Sequence, residues 1–200
     1  VRWDRFFEDL EDQLDSEWEA ERAALDTEAE RLRLSRVPLR DRLVALADAD
    51  AARCAVHLVE GTVLVGAVGR VGADWAALRT DAGEGPTVWI VPLPAVAMIV
   101  LDAEEVLSTV RDAGPGGALG QRMSLGFLLR DLVRRRVPVT VRLVSGQALS
   151  GTADRAGADH LDLAVHNLGA PRRADQVRGF RLVPFAAVAA VRLDAVADLI

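Results

Sequence analysis

Apolar side chains in the first 34 residues fall at Trp3, Phe7, Leu10, Leu14, Trp18, Leu25 and Leu32, in steps of three, four and seven, with Glu21 where one more is due. That is the period of an amphipathic helix, and residues 3 to 34 hold no glycine or proline to interrupt it. One stripe of this helix is apolar and the rest is charged. Trp3, Phe7, Leu10, Leu14 and Trp18 are therefore candidates for a partner interface, packed on the protein's own body or on the same helix of a second copy in a coiled coil.

Beyond residue 36 the rhythm shortens. Ser35 and Pro38 mark a helix start, with Leu39, Leu43 and Leu46 expected to face inward. Cys54, Val56 and Leu58 then alternate with outward-facing His57, in the two-residue period of a strand. The same order returns later in the chain. Ser124 can cap a helix over Leu125–Arg136 that buries Leu125, Leu128, Leu129 and Leu132, and Val139, Val141 and Leu143 then alternate with Thr140, Arg142 and Val144. A second strand runs through Gly66 or Gly151, where glycine permits a bend, and a third follows Asp74 or Asp159. Each unit closes with a Val-Pro pair, Val91-Pro92 up to Leu101 and Val183-Pro184 up to Leu193.

The parallel is also one of sequence. Residues 56–75 lie over 141–160 at a shift of 85 with ten of twenty positions identical, so the chain holds two copies of one structural unit. Asp112-Ala-Gly-Pro-Gly-Gly117 is the turn-rich break between them. The organisation expected is an acidic amphipathic helix over 1–36, a first repeat over 37–102, a linker over 103–120 and a second repeat over 121–200.

Charge sharpens this division. Acidic and basic residues number 12 and 6 in 1–36, 11 and 6 in 37–120, and 7 and 12 in 121–200, giving −6, −5 and +5. Such asymmetry fits an acidic arm docking on a basic surface, or a basic surface that meets nucleic acid. The basic-face candidates, for the arm or for RNA, are Arg134, Arg135, Arg136, Arg142, Arg155, Arg172, Arg173, Arg178 and Arg181. All 24 basic residues are arginine, as in a GC-rich bacterial gene. The longest apolar stretch, Val88 to Leu101, is broken by Pro92 and Pro94 and is too short to span a bilayer, and a single cysteine forms no internal disulfide. A cytoplasmic location and no membrane partner are the expectation.

Catalytic chemistry finds little foothold. Cys54 aligns with Val139, an inward position, and reads as a core thiol. His57 aligns with outward Arg142, while His160 and His166 lack the cysteine or histidine spacing of a metal site. No phosphate loop, paired-histidine helix or nucleophile elbow is present. No catalytic residue, metal or cofactor is expected.

A helix followed by five short, bent strands resembles the Sm-like fold, a small SH3-type barrel, over residues 37–102 and 122–194. The resemblance is carried by Val-x-Leu-Val-x-Gly at Val56–Gly61 and Val141–Gly146, by Gly66 and Gly151, and by the closing Val-Pro. Units of that family commonly assemble through their edge strands, and many bind single-stranded RNA. Arg178-Gly179 matches one element of the family's RNA motif; Asp159 and Asp162 stand where its aspartate and asparagine stand, but three apart and with aspartate in the second place. The opening Trp-Asp-Arg-Phe-Phe-Glu-Asp-Leu-Glu also resembles bacterial proteins of similar length, a likeness that implies no function. The fold expected is α+β, mainly β: a long N-terminal helix followed by two helix-plus-five-strand Sm-like, SH3-type barrels. The expected function is a non-enzymatic protein-interaction or assembly module, with itself as a homo-oligomer or another protein as partner. Single-stranded RNA binding by the basic second barrel is the alternative.

Overall fold

The structure is a computed structural model that describes residues 18–19, 22–23, 25–29, 31–32, 34–49, 53–81, 85–110, 119–167 and 177–193. The chain divides into two compact units, Val1–Pro38 and Leu39–Ile200. In the first unit, the described positions from Trp18 to Leu32 are helical and exposed. The second unit holds helix α1 (Leu39–Asp48), strands β1 (Arg53–Leu58), β2 (Val63–Val71), β3 (Trp75–Thr80), β4 (Thr87–Pro92) and β5 (Val96–Val100), and helix α2 (Ala103–Ser108). There follow helix α3 (Leu125–Arg135) and strands β6 (Pro138–Leu143), β7 (Ala148–Ala156), β8 (His160–Val165), β9 (Phe180–Pro184) and β10 (Val188–Leu193). Among the described residues no helix is long and apolar enough to cross a membrane.

All ten strands form one antiparallel sheet in the order β5-β1-β2-β3-β4-β10-β6-β7-β8-β9. This overturns the expectation of two separate barrels. Each half does keep its five strands in equivalent order and register: Ala55 lies opposite Val100 as Thr140 lies opposite Arg192, and Ala77 opposite Ile90 as Asp162 opposite Leu182. But β4 of the first half pairs with β10 of the second, with Ile90, Trp89 and Val88 opposite Val191, Arg192 and Leu193. Alternation along a strand tells which residues share a face, not which core that face covers, so the sequence left this joint invisible.

The long N-terminal helix is a second correction. Among the described residues the helices with described bounds run ten, six and eleven residues, and the ten-stranded sheet makes up most of the regular structure. The coiled coil expected on it falls with it. Trp18, Leu25 and Leu32 lie open to solvent, and helices draw most of their stability from a packed apolar face rather than from propensity.

Because the sheet is shared, its central strands are buried on both faces. One cluster gathers under α1, with Leu43, Val44, Cys54 and Val56, and receives Ala190 from the second half. The other gathers under α3, with Leu128, Leu129, Leu132 and Val141, and receives Trp75, Ala77, Val88 and Ile90 from the first. Cys54 and Val139 are buried at equivalent positions. Leu39, expected inside, is largely exposed; Val44 takes part in the core instead. Gly66 and Gly151 serve close approach: a Cβ there would come within 2.0 Å of the Arg79 carbonyl oxygen and 2.1 Å of the Ala164 one.

Candidate assembly interface

The joint between the halves draws side chains from turns as well as strands. At the β2–β3 turn, Asp74 Oδ1 accepts a hydrogen bond from the Leu125 amide at 2.7 Å, and the adjacent Trp75 Nε1 donates to the Met123 carbonyl at 2.9 Å. Ser124 Oγ accepts from the Phe127 amide, so the first turn of α3 is satisfied by its own N-cap and by a carboxylate of the other half. The negative charge sits at the positive end of the helix dipole.

Elsewhere in the joint, the β1–β2 turn brings Glu60 to Arg142 of β6. Arg142 Nε donates to Glu60 Oε1 at 2.9 Å, and the Thr62 amide donates to the other carboxylate oxygen. The Glu60 side chain is 1 % exposed. Burial pushes its carboxyl up, but the Thr62 hydrogen bonds and the Arg142 charge outweigh that, and the group lies below the ordinary glutamate value. Across the β4–β10 joint, the Arg192 guanidinium lies 6.0 Å from the centre of the Trp89 ring, its cross-strand neighbour.

Among the described residues the sheet ends in β5 on one side and β9 on the other, with no further strand beside either. Val88 and Ile90 on β4 are 2 % and 3 % exposed; Phe180 and Leu182, at the same register positions on β9, are 53 % and 72 % exposed. On β5, Met98 and Val100 are exposed, and they lie across from His57 and Ala55, which in turn face the exposed Val63 and Val65 of β2. This row forms an apolar strip on the outer face of β5-β1-β2.

Comparison with protein-family models, curated proteins and solved structures finds no match. The assignment therefore stands on geometry.

The structure scatters the residues singled out from sequence. Trp3, Phe7, Leu10 and Leu14, with Arg172 and Arg173, lie outside the described residues, and Trp18 is helical and exposed. Arg134 and Arg135 both pair with Asp131 on their own helix, and Arg142 is committed to Glu60. Arg136 ends α3 in the left-handed conformation, and Arg155 stands opposite Asp162 on β8. Arg178 and Arg181 are exposed on and beside β9. Phe127 and Phe180 are exposed. Burial, and then the charge of Glu105, push the Cys54 thiol up, which disfavours the reactive thiolate. His160 Nδ1 and Asp159 Oδ1 are 2.9 Å apart, and among the described residues no group of three His, Cys, Asp or Glu side chains could hold a metal ion.

Sequence reasoning passed over Glu60, Trp89 and Leu182 and gave Asp74, Trp75 and Phe180 no part in an interface. The signal lay in mismatches between the repeats: Glu60 answers to Ser145 and Trp75 to His160. A buried joint and an open edge place different demands on equivalent positions.

Proposed function

We propose that the chain is a non-enzymatic assembly module that adds protein to the open edges of its sheet. The observation that carries this reading is the contrast between the β4–β10 joint and the edges β5 and β9. The same strands of the repeat are paired and buried at the centre, yet at the margins no further described strand pairs with them, and Met98, Val100, Phe180 and Leu182 are exposed. An open edge with apolar side chains is a template for strand addition, which natural sheets otherwise block with charge, proline or a covering element. The opposite charges of residues 1–36 and 121–200 support attraction between or within copies as an accessory force. The cytoplasm is the compartment proposed, with the buried lone Cys54 in keeping with reducing surroundings.

RNA binding is the second reading. What favours it is Phe180, exposed between Arg178 and Arg181, an aromatic platform flanked by cations. Edge blocking tests the first reading. Ile99→Pro and Leu182→Pro each remove a backbone donor that the ladder alternation turns outward from the sheet, and leave the central joint intact. Association of the full chain, with itself or with a purified partner, is expected to weaken in both variants; association unchanged in both sinks the edge reading.

A further inference from the structure

We propose that the first half of the chain holds a binding site for a free α-amino acid with an apolar side chain, in the pocket between α1, β2 and residues 120–123. No residue of β5 or β9 lines this pocket, and the inference is independent of the edge reading.

The pocket has a volume of about 290 Å³, at the small end for ligand sites, so it suits one molecule of metabolite size. Val44, Ala47 and Met123 give it apolar walls. One of those walls is a piece of the second half, held in place by the first. Arg40 Nη2 donates to the Gln121 carbonyl, and Trp75 Nε1 and the Ala73 amide both donate to the Met123 carbonyl, each at 2.9 Å. The wall is fixed before any ligand arrives, which lowers the ordering cost of binding.

Three polar groups of the lining find no use within the fold. Gln121 Oε1 is enclosed and accepts no hydrogen bond, which is costly because the oxygen has given up water without a replacement. Asp48 and Arg70 are exposed and form no ion pair among the described residues. Asp48 also ends α1, where a carboxylate opposes the helix dipole and a cation is favoured.

The repeat supplies a control. With Leu43 and Leu46 laid over Leu129 and Leu132, Arg134 stands at the place of Asp48 and Arg130 at the place of Val44; on the strand, Asp154 stands at the place of Gly69. Arg130 Nη1 donates to the Gly157 carbonyl at 3.3 Å, so a long side chain crosses the region that Val44 leaves open. The two halves thus differ in charge and in bulk where the pocket lies.

A carboxylate, a guanidinium and an unpaired amide oxygen around apolar walls match one kind of small molecule. Its ammonium group donates to Asp48 and to Gln121 Oε1, its carboxylate accepts from the planar guanidinium of Arg70, and its side chain packs on Val44, Ala47 and Met123. A neutral apolar ligand would leave both charges unmatched, and a polyanion would meet Asp48. Since the walls come from both halves, the bound amino acid ties the start of the second half to α1.

The test uses the full chain and L-leucine, titrated by calorimetry beside N-acetyl-L-leucine, which lacks the ammonium group, and L-leucinamide, which lacks the carboxylate. L-Leucine is expected to saturate a single site and to raise the thermal midpoint with concentration, and each blocked form to bind about tenfold more weakly or worse. Asp48→Asn and Arg70→Gln alter exposed residues, so the ligand-free chain is expected to unfold as wild type while affinity for L-leucine falls about tenfold in each. The losses are selective: Asp48→Asn ceases to distinguish L-leucine from its N-acetyl form, and Arg70→Gln ceases to distinguish it from the amide. Gln121→Leu removes the unpaired oxygen and is expected to keep or raise the ligand-free midpoint while weakening L-leucine, a divergence that a purely structural side chain would not give. Blocked forms that bind as tightly as L-leucine, or an affinity that none of the three substitutions changes, overturn the assignment. So does the absence of saturable binding when L-leucine, L-valine and L-methionine are each titrated to millimolar concentration.

Discussion

Glu60 and Arg142 stand 82 positions apart in the chain and 2.9 Å apart across the joint, an enclosed carboxylate held by a guanidinium of the other half. Removing one partner of a buried pair leaves the other without its counter-charge. Arg142 retains partial access to water, which lowers the cost, so Glu60→Ala is expected to lose about 2 kcal/mol in urea unfolding. The double variant with Arg142→Met is expected to recover part of that loss, and additive effects in the cycle would show that the pair is not coupled.

The same pair makes an acid-sensitive joint. Its carboxyl lies below the ordinary glutamate value in the folded chain, so its contribution is fully present above the unfolded value of about 4.3 and is lost as pH falls through the lower folded value. Stability of the wild-type chain is therefore expected to drop in that acid window more steeply than stability of Glu60→Gln. Parallel pH profiles for the two proteins contradict this assignment.

Asp74 and Asp159 offer an internal control, being equivalent in sequence and unequal in use. Asp74→Ala takes an acceptor from the first turn of α3 and is expected to cost about 1 kcal/mol, the usual scale for a lost helix cap. Asp159→Ala is expected to leave the unfolding of the single chain unchanged, because its carboxylate is exposed. Equal losses in the two variants would remove the distinction between joint and edge.

Much of the fold was legible because it is local. Cys54, Val56 and Leu58 announce their strand by alternation, and Ser124 with four leucines announces α3. What stayed hidden was the partner of each face. Val88 and Ile90 read like any strand pair, yet they serve the core of the other half, and nothing in a period of two records that. The nine arginines read as one basic face because charge counts carry no geometry; three of them are held by Asp131 or Glu60. Phe180 has the hydrophobicity of a core residue, and its place on the last strand of the sheet, which no residue type records, leaves it exposed. The apolar stripe at the N-terminus showed its helical period but not whether anything covers Trp18.

Gly66 and Gly151 test whether the two halves are packed alike. A methyl group at either would meet backbone carbonyl oxygen, at 2.0 Å and 2.1 Å, and backbone cannot turn aside as a flexible side chain can. Gly66→Ala and Gly151→Ala are each expected to cost at least about 1–3 kcal/mol in denaturant midpoint. A tolerated substitution at one site alone would mean that the two halves of the sheet differ there.

The arginines give the sharpest means of separating the two functional readings. Arg134, Arg135 and Arg142 are engaged with carboxylates, which leaves Arg136, Arg155, Arg178 and Arg181 as the exposed described candidates outside those ion pairs. If those four all met phosphates of a single strand, the logarithm of affinity would fall against the logarithm of salt with a slope of about −3, at roughly 0.7 per contact. The assembly reading expects no saturable binding of single-stranded RNA by the intact chain at physiological salt, and no change in its solution mass on treatment with ribonuclease. Replacing Arg178 and Arg181 by glutamine is then expected to weaken self-association, because both flank the edge that pairs. Saturable RNA binding with the steep slope, abolished by those two substitutions while self-association is untouched, would place RNA ahead of assembly.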